Sequence, residues 1–177
     1  SRGPEYDVSV TEIALPRTEP VGFDLRRVVD TTGYVAADFH QHTMNSPDST
    51  IPLEERVVTN LAEGLEFLSS SDHDYITDFE PIIRRLGMDD RMSSVPGEEL
   101  TPFGFGHFIS WPLPVDPASP NLGALDWGGG SGASLSPAGI FDGLRRLGGK
   151  VVQINHPRLA TPGPFAFQQN FDRAALR

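Results

Sequence analysis

Cysteine is absent from all 177 residues. That excludes disulfides, thiolate zinc sites and a cysteine nucleophile, so any metal here must be held by histidine and carboxylate. It leaves the cellular compartment open. Long apolar runs are missing too: no uncharged stretch reaches the roughly 18 residues that a membrane-spanning helix needs. Ser1-Arg2-Gly3-Pro4 lacks the apolar core of a signal peptide and carries no initiator Met. The start is therefore expected to be set by processing or by a boundary within a longer sequence. Positive charge is scarce, with 14 Lys and Arg against 24 Asp and Glu and a formal charge of −10. Such a field repels nucleic acid and anionic membrane surfaces, so neither is an expected partner. An anionic substrate stays compatible where bound cations reverse the sign locally. The glycine run Gly128-Gly129-Gly130-Ser131-Gly132 is followed by no Gly-Lys-Ser/Thr and reads as a flexible loop. Ser69-Ser70-Ser71 lies in no Gly-x-Ser-x-Gly elbow, which argues against a serine hydrolase. Internal repeats and coiled-coil heptads are also lacking.

What is present suits one domain with a real core, shorter than the roughly 250 residues of a complete (β/α)8 barrel. The 18 Gly and 16 Pro imply many turns. Residues 1–30 read as edge strands or the tail of a preceding domain, through patches such as Tyr6-Asp7-Val8-Ser9-Val10. Residues 31–177 read as one α/β domain. Strand-like runs are expected at 34–39, 65–68, 92–100, 107–111 and 151–155. A helix is expected after Pro52, where Leu53, Val57, Leu61 and Leu65 recur every four residues, and Gly64 can end it. Asp78 to Leu86 should form a second helix. Ser136-Pro137 should start a third, with Ile140, Leu144 and Leu147 on one face and Gly148 as its stop. Residues 112–135 should be a long loop. Alternating strands and helices point to a parallel α/β arrangement.

The polar residues gather just beyond the strand-like runs. His40 and His42 follow the first, His73 the second, Glu99 the third and His156 the last, while His107 opens the run between. In α/β folds the carboxyl ends of strands are where sites are built. His40 and His42, at i and i+2 of an extended segment, point the same way and can reach one ion. With Asp72-His73-Asp74, Glu99 and Asn155-His156-Pro157 nearby, the pattern is that of a metal site. Phe103, Phe105 and Trp111 read either as a pocket wall or as core.

These stretches, together with Ser46-Pro47-Asp48-Ser49 and Pro96-Gly97-Glu98-Glu99-Leu100, resemble the polymerase-and-histidinol-phosphatase (PHP) superfamily of metallohydrolases. Pro52-Leu53-Glu54-Glu55-Arg56 and Asn155-His156-Pro157-Arg158 look most like its carbaryl-hydrolase-like branch. The resemblance implies a distorted (β/α)7 barrel with two or three divalent ions, Zn, Mn or Fe, at its C-terminal face. It assigns His40 and His42 to a first ion and Glu99 as a bridge to a second, completed by His107 and His156. Asp48 and His73 would belong to a third. Glu99 is taken over Glu98 because the family pattern places its ligand two residues after this glycine, which turns Glu98 to the other side of the strand. Asp38 and Asp72 would orient histidine rings, and Arg158 would hold an anionic group of the substrate.

The implied activity is hydrolysis of phosphoesters or of carboxyl or carbamate esters by a metal-activated water. The substrate would be a small molecule. One departure stands out: the family usually carries a late Asp-x-His, whereas residues 159–177 contain Asp172 and no His. The last strands of the barrel are therefore expected to be lacking, through a domain cut short, a second chain that completes it, or a diverged site. The alternative function is a non-catalytic metal-binding module, or a barrel fragment that needs a missing C-terminal segment or second chain.

Overall fold

The computed structural model describes Gly3 and residues 5–102, 106–128 and 135–157. Its elements run β1 (Ala37–Asp38), α1 (Leu53–Ala62), β2 (Phe67–Ser69), α2 (Glu80–Arg85), β3 (Ser93–Val95), β4 (Glu98–Leu100), β5 (Phe108–Trp111), a 3-10 turn (Pro120–Gly123), α3 (Pro137–Leu147) and β6 (Val151–Ile154). Strands β1, β2 and β3 form a parallel sheet, and β4, β5 and β6 an antiparallel one. A bridge between His73 and Glu99 joins the two, with the Glu99 amide bonded to the Asp72 carbonyl and the Asp74 amide to the Glu99 carbonyl, both at 3.0 Å. β3 and β4 are thus one stretch bent at Pro96-Gly97. Only glycine fits the bend: a Cβ on Gly97 would lie 2.7 Å from the carbonyl oxygens of both Ser70 and Ser110.

The expected (β/α)7 barrel is not what forms. The described residues contain three α-helices and an open pair of sheets, with no closed barrel among them. Two physical reasons account for it. β4 and β5 are joined by residues 101–107, too few for the helical crossover that parallel strands require, so β5 turns back antiparallel. β3 runs into β4 with no helix between them. Among the described residues of 1–30 there is a single bridge, Tyr6 to Arg27, and Val8, Val10 and Leu15 lie exposed.

The helices form where periodicity and capping place them. α1 buries Val57 and packs Leu53 and Leu61 against Leu68, Phe79, Ile83 and Met92. α3 starts at Ser136, whose side chain accepts the Gly139 amide at 3.2 Å. It ends at Gly148, whose left-handed φ of 113° costs a glycine little. Its Ile140 and Leu144 pack on Leu100 and Phe108, making a second core beside the antiparallel sheet. No described helix is long and apolar enough to cross a membrane.

Candidate metal centre

The segment after β1 is held so that alternate side chains diverge. Gln41 is buried, its amide donating to Ser71 Oγ at 2.7 Å and its carbonyl accepting from the same hydroxyl at 2.8 Å. His40 and His42, one residue either side, therefore project together. Arg56 on α1 fixes the backbone further, with Nε and Nη2 at 3.1 and 2.7 Å from the His42 carbonyl. His73 follows β2, His107 precedes β5, and His156 follows β6 with a φ of 24°, a costly backbone for a side-chain-bearing residue.

All five histidines meet around the buried carboxylate of Glu99. Oε1 lies 3.1 Å from His107 Nδ1 and 3.2 Å from His156 Nε2, and accepts Asn155 Nδ2 at 2.7 Å. Oε2 lies 3.3 Å from the Nε2 atoms of both His40 and His42 and 3.4 Å from His73 Nδ1. The rings form a closed circuit, with centroid separations of 5.3 Å for His40–His42, 4.6 Å for His42–His73, 5.1 Å for His73–His107, 4.9 Å for His107–His156 and 5.7 Å for His156–His40. Asp48 stands at the rim, 3.4 Å from His73 Nε2 and 3.6 Å from His42 Nδ1.

The electrostatics favour the metal-binding forms of Glu99, Asp48, His42 and His156, but not that of His40. Burial pushes the Glu99 carboxyl up, but hydrogen bonds from His107, His40 and Asn155 outweigh it and hold the group well below the usual carboxylate range. Desolvation lowers His42 and His156, which keeps them neutral with a lone pair to offer. His40 is raised by its hydrogen bond to Glu99, against its burial. Burial works to raise Asp48 also, yet the Ser46 hydroxyl and the fields of His42 and His73 bring it below its ordinary value.

His40, Glu99 and His156 place ligand atoms within 4.8 Å of one another, as do His42, His73 and Glu99, so either group can hold a metal ion. These groupings pair His40 with His156 and His42 with His73, across the partition that the resemblance implies. Asp38 and Asp72 take a different part from the expected one. Asp38 accepts the His40 amide at 2.9 Å, so its hydrogen bond goes to the backbone and it reaches the ring only through its field. Asp72, fully buried, accepts the Thr43 amide at 2.5 Å, the Thr43 hydroxyl at 2.7 Å and the Thr77 hydroxyl, which anchors the loop after His42. Arg158, Phe103, Phe105 and most of the glycine run lie outside the described residues. Trp111 stacks on Phe39 at 5.1 Å, at the end of β5 remote from His107.

Sequence reading overlooked Asn155, Ser46 and Arg56. Asn155 and Ser46 lay within quoted motifs, and their fixed offsets from His156 and Asp48 were the available signal. Arg56 lay within the stretch 52–56 that carries the resemblance, but nothing in that stretch pointed to the His42 carbonyl. No family model matches the chain, and no curated protein matches it either.

Proposed function

We propose that the chain is a metal-dependent hydrolase of phosphoesters or of carboxyl or carbamate esters, holding two or three divalent ions of Zn, Mn or Fe. The observation that carries this reading is the closed circuit of five imidazoles around one ionised, buried glutamate. Glu99 is hydrogen-bonded to three of the five rings, His40, His107 and His156, and neutral imidazole with carboxylate is the donor set that these metals prefer. The order of the motifs, similar to that of the PHP superfamily, supports the same class.

When bound, the ions would supply Lewis acidity and a water acidic enough to act as a nucleophile near neutral pH. The residues supply the rest. Glu99 turns one oxygen to His107 and His156 and the other to His40, His42 and His73, and would be the ligand common to both groupings. Asn155 steadies Oε1, and Asp72 and Arg56 hold the backbone that aims His42. Asp48, about half exposed, and His40 are the most open members, so a substrate would enter from their side.

The test is hydrolysis of generic phosphate and carboxylate esters with Mn²⁺, Fe²⁺ or Zn²⁺ added. Activity should appear with metal and vanish on chelation and in His42→Ala. A chain that binds no metal defeats the reading. A second reading, a metal-binding module inactive alone, is favoured by the outer edges of β1 and β6, which no strand among the described residues pairs. It predicts tight metal binding without turnover, restored by a longer form of the chain or by a second chain.

A further inference from the structure

Ser46 is buried beneath the rim of the site, and its hydroxyl touches three groups of the metal centre. It donates to Asp48 Oδ1 at 2.7 Å, accepts the His73 amide at 3.2 Å, and lies 3.1 Å from His42 Nδ1. A serine hydroxyl has one proton and two acceptor positions. A carboxylate can only accept, so that proton belongs to Asp48. The two lone pairs must then receive the His73 amide and a proton on His42 Nδ1. The contact at Nδ1 is the one hydrogen bond the His42 ring makes among the described residues. Its Nε2 lies 3.3 Å from Glu99 but is not aligned as a hydrogen bond.

We infer that Ser46 is a positioning residue of the metal centre, fixing His42 as the Nδ1–H tautomer so that the Nε2 lone pair faces Glu99. The same hydroxyl occupies Oδ1 of Asp48 and leaves Oδ2 facing His73 Nε2 at 3.4 Å. One small side chain thereby sets the donor atom of two metal-binding groups. Its role rests on the metal-centre reading, but the tautomer is a property of the metal-free protein and is measured separately.

The experiment uses the full chain with ¹⁵N-labelled histidine, free of metal, at about pH 8 where ordinary imidazoles are neutral. Long-range ¹H–¹⁵N spectra assign the tautomer of His42 in the wild type, Ser46→Ala and Ser46→Thr. Wild type and S46T should show Nδ1–H. S46A should lose it as a single state, because Glu99 then becomes the available acceptor at Nε2. Zn²⁺ titration should show S46A binding about 10- to 100-fold more weakly, with S46T restoring most of the loss. An Nε2–H His42 in the wild type overturns the inference, and so does an S46A variant that keeps both tautomer and affinity. Should S46A fail to fold, the wild-type spectrum alone decides. A wild type with the expected tautomer that binds no Zn²⁺ upholds the role of Ser46 on His42 and defeats the metal-centre reading instead.

Discussion

The two faces of β4 carry adjacent glutamates, both fully buried, with opposite fates. Glu98 turns toward the α3 side, where its Oε1 accepts the Leu125 amide at 3.1 Å and its Oε2 finds no partner among the described residues. Desolvation pushes its carboxyl up to about 8, so it is held as the neutral acid. Glu99, one residue on, is as inaccessible to water but surrounded by imidazoles and an amide, and stays ionised. Burial on its own decides nothing about charge; the donors on each side of the strand do.

The most damaging way to break this contrast is Glu99→Gln. It removes the charge common to both groupings and should weaken Zn²⁺ binding by at least about 100-fold in calorimetric titration, while leaving the α3 side undisturbed. Asp72→Ala comes next. It strips the acceptor from Thr43 and Thr77, and should cost about 3 kcal/mol in denaturant unfolding as well as metal affinity, since the loop bearing His42 loosens.

Glu98→Gln is gentler and tests the other face. The proton that folded Glu98 keeps is lost from the unfolded chain above its ordinary value of 4.5. The unfolded state therefore binds fewer protons between about pH 4.5 and 8, and this group makes stability fall as pH rises through that window. Relative to wild type, E98Q should gain thermal stability between pH 5 and 8 with unchanged Zn²⁺ affinity. Glu99 does not blur the comparison: its stabilisation is complete above its own unfolded value of 4.5 and is lost only in acid. The smallest effect is expected from Ser136→Ala. It removes the cap of α3 and should cost about 1 kcal/mol with no change in metal binding.

The site was more legible than the fold. His40, His42, His73, His107 and His156 stood out because polar residues directly beyond apolar runs are unusual unless they converge. Glu99 was separable from Glu98 only through the resemblance, whose pattern places the ligand two residues after Gly97; strand alternation then turned Glu98 to the opposite face. Helices α1 and α3 were legible from their caps and four-residue spacing. The reversal of β5 was not, since alternation of apolar and polar residues is the same in parallel and antiparallel strands. Nor was the open architecture: sheet closure depends on which edges meet, and no local pattern encodes that. The hydrogen bonds of Asp38 and Asp72 to backbone and hydroxyl groups were equally hidden, because an acid beside a histidine reads the same whether it serves the ring or the loop.

β1 and β6 share no ladder, yet His40 and His156, just beyond them, stack at 5.7 Å. The circuit that the backbone leaves open is closed by side chains. An ion held by His40, Glu99 and His156 would act as a clasp between the first strand, the middle of the sheet and the last. Loading would then register as mechanical integrity of the whole fold. At a free concentration 1,000 times the dissociation constant, such a clasp adds about 4 kcal/mol, a large share of what holds a domain of this size together.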